Sequence, residues 1–402
     1  MTSVLAASVP APPAERLRER VRALASIHRP SASPGEQRAA EWVGERMRAH
    51  GARTRIETER AHGTYWMPLT MLSLAGALGA LAGGRRRVAG AALAGAAAAG
   101  IWDDITGGRH HARRLLPKHD TFNVVAELGP EGASRTVVLV AHHDAAKSGL
   151  IFHPAIPAFV WRRYPALIER SDTSPPLMFP VFGGPALAAA GSLAGNRAAR
   201  IAGGVISAGA AAVIGQIGST KVVPGANDNV TGVVSLLELA GRLAEEPTAN
   251  VRVLLVSTGS EESFMEGMRG FLRRHGPGLP QRDTFILAVD TLGSPHLTAI
   301  RGEGMLVMNE YPQAALDLVD RVADELGVWL FPKLRLRNAT DGLIALKQGY
   351  PSACLGSVTD YKAPANYHWR TDTPENVDYD TLADGVRLCE GIVRRLDERW
   401  LD

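Results

Sequence analysis

The sequence predicts an α/β fold in which a mostly parallel, mixed sheet lies between layers of helices and carries inserted helical hairpins. Two observations predict this fold. Short apolar runs typical of buried strands alternate with longer segments of helical periodicity, and such alternation is typical of a largely parallel sheet covered on both faces. Two stretches, 65–102 and 176–218, interrupt this alternation because they are rich in Ala and Gly and contain no acidic residue.

The composition limits the class of protein. Of the 402 residues, 46% are hydrophobic and 21% are charged, which excludes intrinsic disorder and suffices for an ordinary core. The 44 basic and 41 acidic residues give a formal charge of +3, too balanced for a protein built to bind nucleic acid. The only cysteines are Cys354 and Cys389, so neither a disulfide scaffold nor a thiolate metal cluster is available. Any bound metal would be held by His, Asp and Glu.

The chain begins with two predicted helices and a strand. Residues 1–15 lack a basic segment followed by a long apolar run, so no cleaved signal peptide is expected. Residues 15–27 have the pattern of an amphipathic helix. A second helix begins with a capping-box pattern formed by Ser33 and Glu36. Residues 53–59 then alternate between polar and apolar side chains like a strand.

The stretches 65–102 and 176–218 each predict a helical hairpin. Each consists of two arms of about 15–19 residues joined by a turn that contains arginines. The arms are at or below the roughly 20 residues needed to span a bilayer. Two interpretations stay open. The near absence of charge and the basic turns favour a four-helix membrane bundle, whereas the weak hydrophobicity and short arms favour a soluble lid of two packed hairpins.

The remaining segments supply the sheet and its helices. Strands are predicted at 122–126, 136–141, 251–257 and 285–289, and helices at about 230–243, 312–326 and 380–396. The predicted organisation is therefore one core domain in three parts, with two insertions between them. The three parts are 15–64, 103–150 and 220–402, and the insertions are a hydrophobic hairpin at 65–102 and a second insertion with its hairpin at 151–219.

Side chains able to bind a metal follow predicted strands or lie in turn-rich loops, which is where an α/β sheet builds its site. They are His142 and Asp144, Asp228, Glu261 and Glu262, Asp290, and His368. Taken singly, each has an ordinary interpretation, such as a structural histidine at a strand end or a carboxylate that caps a helix. Taken together, two histidines and three carboxylates suit a pair of zinc ions roughly 3.5–4 Å apart, with one glutamate left as a base.

At these residues the sequence resembles metallopeptidase family 28, the co-catalytic di-zinc aminopeptidases, whose relatives include glutamate carboxypeptidase and glutaminyl cyclase. The matching motifs, in the order typical of the family, are AHHD, GANDNVTGVVSLLELA, STGSEE, VDTLG and YHWRTDTPENVD. The resemblance implies a zinc aminopeptidase-like fold, so the core domain would be a peptidase domain.

The resemblance also implies roles for the site residues. The implied metal ligands are His142 with Asp290 for one zinc, Glu262 with His368 for the other, and Asp228 as the bridge between both. Asp144 would orient His142, and Glu261 would be the general base. The implied function is a zinc-dependent exopeptidase of the aminopeptidase type, a hydrolase that binds two zinc ions per chain and acts on peptides.

The sequence departs from the family in two places. His142 and Asp228 are 86 positions apart, whereas a few tens of residues at most separate them in close relatives. Because both must reach the metals, the second insertion is expected to start and finish at the rim of the site and to rise above its mouth. At Asp341, relatives often place a histidine after the aspartate, which leaves the substrate contacts of that loop open. The histidines and arginines at 110–114 are interpreted as a solvated basic turn.

Location and activity each keep an alternative. Contact with membrane lipid through 65–102 and 176–218 predicts a membrane-associated protein, with a cytoplasmic one as the alternative. The basic turns would prefer the cytoplasm, but no export signal for the catalytic segments is recognised, so the orientation stays open. The alternative activities are a glutaminyl-cyclase-like acyltransferase that uses one zinc, and a non-catalytic receptor or scaffold.

Overall fold

The computed structural model describes residues 9–401. Residues 1–8 lie outside the described residues. They form part of the segment 1–15, in which no cleaved signal peptide is expected. The strands are β1 Arg53–Ala61, β2 His119–Leu128, β3 Arg135–His142, β4 Val251–Thr258, β5 Thr284–Val289, β6 His296–Ile300, β7 Gly302–Glu303, β8 Asn309–Glu310, β9 Arg335–Leu336 and β10 Ser352–Val358. The α-helices are α1 Ala14–Ala25, α2 Pro34–Ala49, α3 Trp66–Ala82, α4 Arg87–Ile105, α5 Ala155–Arg163, α6 Pro165–Glu169, α7 Phe179–Leu193, α8 Arg197–Gly218, α9 Thr231–Glu245, α10 Glu266–His275, α11 Gln313–Leu326, α12 Asp341–Lys347 and α13 Tyr379–Glu398.

Seven strands form one mixed sheet in the order β1-β2-β4-β3-β5-β10-β6. The central strands β4, β3, β5 and β10 are parallel, while β1, β2 and β6 pair in the antiparallel direction. The central strands are buried along nearly their whole length, which is why they read as continuous apolar runs. The predicted α/β class and its mostly parallel mixed sheet are confirmed.

Helices cover both faces of the sheet and bury two apolar clusters. The first cluster combines one face of the sheet with α1, α2, α9, α11 and α13. The second combines the other face with α10, α12 and the lower ends of the two inserted hairpins. Side chains that join the hairpins to this cluster include Leu69, Ile101, Ile105, Ile214 and Ile217, all of which are almost fully buried. The insertions are therefore anchored in the core of the fold.

The two inserted hairpins pack on each other as one four-helix bundle. Helices α3 and α4 form the first hairpin, α7 and α8 form the second, and α3 contacts both helices of the second hairpin. Glycines allow the close approach: a Cβ atom on Gly90 would lie 2.2 Å from the backbone nitrogen of Gly83, and one on Gly203 would lie 2.3 Å from that of Ala188. No side chain fits at these contacts, so the backbones meet directly.

The expectation that the turn at 110–114 is solvated is confirmed for His111 and Arg114, which are exposed, and is wrong for His110 and Arg113, which are buried. Arg113 is fully buried, and its guanidinium donates hydrogen bonds to both carboxylate oxygens of Asp104 at 2.6 and 2.9 Å and to the carbonyl of Ser263 at 2.6 Å. His110 is buried as well. Arg113 is buried because a buried carboxylate at the end of α4 pairs with it, and the local sequence does not reveal that pairing. The ion pair ties the base of the bundle to the loop that follows Glu262.

Candidate metal centre

The side chains predicted to bind metal come together at the carboxyl edge of the parallel strands. His142 is the last residue of β3, Asp290 directly follows β5, and Glu261 lies three residues beyond β4. Neighbouring parallel strands end at the same edge of a sheet, so their trailing residues meet there. Two loops complete the group, with Asp228 in the turn before α9 and His368 in the loop between β10 and α13.

Asp228 lies between the two histidines. Its Oδ1 is 3.2 Å from Nε2 of His142, and its Oδ2 is 3.2 Å from Nε2 of His368. Glu262 Oε2 lies 3.2 Å from the same His368 nitrogen, and Asp290 Oδ2 lies 3.9 Å from the His142 nitrogen. Three three-residue groups have potential ligand atoms within 4.8 Å of one another: His142 with Asp228 and Asp290, Asp228 with Glu262 and His368, and His142 with Glu261 and Glu262. The first two groups share Asp228. The assignment of these residues to two zinc ions stays a prediction.

The donor set fits a metal. Asp228, Glu262 and His368 are buried, and within residues 9–401 no hydrogen-bond donor reaches Oε1 of Glu262. A buried carboxylate oxygen without a partner is costly, and several carboxylates in one buried cluster repel each other. Cations at the centre would supply the missing partner. Imidazole nitrogens and carboxylate oxygens are ligands that zinc prefers.

The pKa values of the cluster reflect the excess of buried carboxylates. Burial alone would lower the pKa of both histidines, but Glu261 beside His142 and Glu262 beside His368 raise it, to about 10 for His368. Burial, together with the neighbouring carboxylates, raises the pKa of Glu261 and Asp290 well above the usual range. Protons therefore occupy this cluster when no metal does, and a metal must displace them on binding.

Asp144 holds the loop of Glu261 and Glu262 as well as facing His142. Its Oδ1 lies 3.4 Å from Nδ1 of His142, as expected for an orienting partner. The same carboxylate accepts hydrogen bonds from the backbone N–H groups of Glu261 at 3.0 Å and Glu262 at 3.2 Å, and from the hydroxyl of Ser31 at 2.6 Å. One buried carboxylate thus fixes the positions of three members of the site.

Comparison with known proteins agrees with this geometry. Residues 212–392 match the family model described as Peptidase family M28. This part of the chain is similar to family M28. The matched range contains Asp228, Glu262, Asp290 and His368, whereas His142 lies before it. No match was found among curated proteins.

Solved structures of an aminopeptidase, a glutaminyl cyclase and a Zn-dependent exopeptidase share the fold. An aminopeptidase from Aneurinibacillus sp. strain AM-1 is 12% identical with a TM-score of 0.58, over 97% of this chain and 95% of that one. A glutaminyl cyclase from Tannerella forsythia is 15% identical with a TM-score of 0.56, over 96% and 99%. A Zn-dependent exopeptidase from Parabacteroides distasonis ATCC 8503 is 12% identical with a TM-score of 0.54, over 97% and 99%. The chain thus has a fold of the zinc peptidase type.

Asp372 is a site residue that the sequence analysis did not single out. Its carboxylate accepts hydrogen bonds from the backbone N–H of Asn227 at 2.7 Å and of Asp228 at 3.1 Å. Burial raises the pKa of Asp372 to about 8. Asp372 follows His368 by four residues in the same motif, and that proximity was the available signal. Its partners are about 145 positions away in sequence, so the contact itself had no local signature.

Glu36, predicted only as part of a helix cap, also binds a loop of the site. The side chain of Ser33 caps α2 as expected, accepting from the N–H groups of Gly35 and Glu36. The carboxylate of Glu36 reaches back to the N–H of Ala32 at 2.8 Å, and it also accepts from the N–H and the hydroxyl of Ser260 at 2.9 Å each. A residue predicted as a helix cap therefore also holds the loop just before Glu261.

Asp341 is buried near the predicted base, Glu261, and its charge acts on that residue. It is buried, and the hydroxyl of Thr258 donates a hydrogen bond to its carboxylate. Burial raises the pKa of Asp341 to about 6, and its charge contributes to the raised pKa of Glu261. Asp341 thus acts on the electrostatics around Glu261.

A cavity of about 410 Å³ opens next to the centre. Glu261, Glu262 and His368 line one side of it, and the second insertion supplies much of the apolar wall. Those wall residues are Ile151, Phe152, Ile156, Val160, Leu177 and Met178. As expected from its place between His142 and Asp228, the second insertion borders the site. The cavity is larger than one aliphatic side chain requires and belongs to the size class of small-ligand pockets.

Proposed function

We propose that this chain is a zinc-dependent exopeptidase of the aminopeptidase type, with two zinc ions per chain and peptides as substrates. The observation that carries the proposal is the pair of ligand groups that share Asp228, with the carboxylate of Glu261 beside them, 3.8 Å from Nε2 of His142. A shared carboxylate between two histidine-containing groups is the arrangement that a two-metal hydrolase requires. The relation to family M28 supports the same reaction class.

Each residue then has a distinct task in hydrolysis of the peptide bond. Bound zinc would lower the pKa of a coordinated water and polarise the scissile carbonyl. Glu261 would take the proton from the attacking water and deliver it to the leaving amine as the C–N bond breaks. Burial raises the pKa of Glu261, which makes it a stronger base than an exposed carboxylate. Asp144 would hold the Glu261 backbone in place during both proton transfers.

We also propose that the enzyme works at a membrane, on peptide ends close to the lipid surface. Two helices of the bundle, Arg87–Ile105 and Arg197–Gly218, are long and apolar enough to cross a bilayer. The insertion that contains the second of them also lines the cavity beside Glu262. Deleting 176–218 is expected to reduce sedimentation with membranes and to lower the preference for membrane-anchored peptides. Retained zinc would show that the deleted protein still folds, and unchanged sedimentation and preference would contradict the proposal.

A glutaminyl-cyclase-like acyl transfer is the second candidate. It is favoured by one observation, the nearly equal similarity to the Tannerella forsythia glutaminyl cyclase and to the Aneurinibacillus aminopeptidase, at TM-scores of 0.56 and 0.58. That reaction would use one zinc, for which a single ligand group suffices. The second group, built from Glu262 and His368 with Asp228, favours hydrolysis with two metals. A non-catalytic scaffold would need neither group.

The deciding experiment combines zinc quantification with two assays, hydrolysis of aminoacyl amides and cyclisation of peptides that begin with glutamine. The wild type is expected to bind two zinc ions and to hydrolyse the amides. Glu261→Gln should keep both zinc ions and lose about 10²–10⁴-fold in kcat, the usual contribution of a general base, while Glu131→Gln on the exposed surface serves as the control. One zinc with cyclisation would favour the second candidate, and no metal would favour a scaffold.

A further inference from the structure

We propose that the four-helix bundle of α3, α4, α7 and α8 crosses a lipid bilayer completely, so that its two arginine-containing turns lie on the opposite side from the peptidase core. The proposal rests on the membrane association proposed above and goes further, because it states that the bundle passes through the bilayer and does not only bind its surface. It depends on how the large and small side chains are distributed in the bundle, on where its charges lie, and on its length.

The large apolar side chains of the bundle point outwards. Of the 22 large hydrophobic residues that are exposed in residues 9–401, 14 lie on these four helices. Met71, Leu74, Leu78 and Leu81 are 49–74% exposed and follow one another at three- and four-residue spacing along a single face of α3. An apolar surface of this extent on a water-soluble protein would be an aggregation hazard, whereas in a bilayer it is the normal outer surface.

The interior of the bundle consists of small residues. Its buried apolar cluster is formed by Ala80, Ala94 and Ala188. The hydroxyls of the buried Ser192 and Ser207 donate to the carbonyls four residues earlier, at 2.7 and 2.8 Å. Such back-bonding satisfies a hydroxyl within its own helix, so that it needs no water. Small residues inside and large ones outside are typical of helices that associate within lipid.

Helix α11 of the core provides the contrast within the same chain. Its large apolar residues Leu316, Leu318, Val319, Val322 and Leu326 are all buried, and its outward positions are mostly polar or charged. The two apolar helices that are long enough to span a membrane, α4 and α8, are not buried in this way. Only 44% of the apolar 18-residue stretch of α4 is buried, and only 28% of that of α8. The bundle therefore has the opposite arrangement to a helix that faces water.

The charges lie at the ends of the bundle. The outer ends carry Arg85, Arg86, Arg87, Arg197 and Arg200, and no acidic residue occurs anywhere in 65–102 or 176–218. The guanidinium of Arg200 donates to the carbonyl of Ala80 and joins the two turns. A cluster of arginines without carboxylates fits the phosphate layer of a membrane.

The lengths of the helices fit a bilayer that is slightly thinned. With a rise of about 1.5 Å per residue, the 19 residues of α4 and the 22 of α8 are about 28 and 33 Å long, close to the roughly 30 Å hydrocarbon core. The 15 residues of α7 reach only about 22 Å. The short helix predicts local thinning of the bilayer around the bundle.

The base of the bundle fixes where the membrane surface lies. Leu69, Ile105 and Ile217 at this end belong to the apolar cluster that covers the sheet. Beside it, the segment 150–167 exposes five further large apolar residues, including Phe159 and Tyr164. Tyrosine is among the residues that concentrate at membrane interfaces. The cavity next to Glu262, which the same segment lines, would therefore open at the lipid surface.

The two native cysteines allow a direct test of the topology. Cys354 and Cys389 are fully buried, so a cysteine introduced at the surface reacts almost alone with a membrane-impermeant maleimide. Arg86→Cys places the probe on the outer turn of the bundle, and Glu131→Cys places it on the exposed β2–β3 turn of the core. In sealed membranes of uniform orientation, we expect each variant to be labelled from one side only, and the two variants from opposite sides. After permeabilisation, we expect both variants to be labelled. Labelling of both from the same side would overturn the proposal.

A second test asks whether lipid contacts the leucine face of α3. Leu74→Arg combined with Leu78→Arg places two charges where hydrocarbon is expected, and Trp329→Arg is the matched control because that residue is similarly exposed on the core, at 62%. We expect wild type and control to stay in the membrane pellet after alkaline carbonate extraction and the double variant to be lost from it severalfold. Release of the wild type into carbonate would overturn the proposal. Neither test measures peptidase activity, so each outcome stands independently of the zinc chemistry.

Discussion

The ring of Phe152 lies edge-on against the imidazole of His368, with centroids 4.6 Å apart. His368 belongs to the ligand group around Asp228, whereas Phe152 belongs to the second insertion. The other face of the imidazole is occupied by Tyr367, whose ring stacks on it at 3.9 Å. The insertion thus contacts the metal centre directly, and its sequence should influence which substrates the centre accepts.

The first prediction concerns that contact. Phe152→Ala removes apolar wall from the cavity, and we expect KM for peptides with large apolar ends to rise about three- to tenfold, equivalent to roughly 1 kcal/mol of lost burial. Zinc content and kcat should change little. Leu150→Ala in the same turn is the control, because Leu150 is 62% exposed. Loss of zinc together with an unchanged KM would show that Phe152 supports His368 and does not bind substrate.

The second prediction concerns Asp372. Its carboxylate accepts two backbone N–H groups that set the position of Asp228, and Asp372→Asn replaces one acceptor oxygen by a donor. We expect the dissociation constant for zinc to rise about 10–100-fold, the usual effect of losing a partner that orients a metal ligand. A competition titration with a fluorescent chelator measures it. Asp380→Asn, at an exposed position of α13, should bind zinc like the wild type.

The third prediction concerns the protons held by the metal-free centre. Because the carboxylates around His368 raise its pKa to about 10, this imidazole is protonated at pH 7 until a metal replaces the proton. Zinc binding near pH 7 should therefore release protons into the buffer. Calorimetric titrations in two buffers with different ionisation enthalpies would give different apparent binding enthalpies. Identical enthalpies in the two buffers would contradict the raised pKa.

The fourth prediction concerns stability and pH away from the centre. Burial raises the pKa of Glu303 from 4.5 to about 7, so the folded protein holds this proton more tightly than the unfolded chain does. The stabilisation is complete below about pH 4.5 and is lost as the pH rises to 7, by about 3 kcal/mol as an order of magnitude. Glu303→Gln should flatten the dependence of the free energy of unfolding over this range. Glu310→Gln, at a half-exposed carboxylate, should leave it unchanged.

The fifth prediction concerns the packing of the bundle. A methyl group on Gly203 would lie 2.3 Å from a backbone atom of Ala188, whereas one on Gly209 would have no neighbour within 4 Å. Gly203→Ala should separate α7 from α8 and destabilise the bundle by about 1–3 kcal/mol. Gly209→Ala, in the same helix, should be neutral or stabilise it by up to about 1 kcal/mol. Limited proteolysis of the outer turns compares the two, and equal susceptibility would mean that the helices do not pack closely at Gly203.

Elements with a strong local pattern were predictable from the sequence. The strand that ends at His142 and the strand that precedes Asp290 are predicted to within one residue of their bounds, because buried parallel strands are continuous apolar runs. The clustering of the site residues around Asp228 was predictable as well, because neighbouring parallel strands end at the same edge of a sheet. The basic turn was misread in part, because Arg113 is buried by a partner, Asp104, that lies on the inserted hairpin.

The sequence by itself determined the α/β class, the polar residues that follow the strands and the presence of two hairpins. Each of these depends on periodicity or on residues that are close together in the chain. Only the tertiary structure decided that the hairpins form one bundle, that Asp372 and Glu36 hold the loops of the centre, and that Phe152 contacts His368. These contacts join residues far apart in sequence. Their formation depends on how whole layers pack, and no local pattern of side chains encodes that packing.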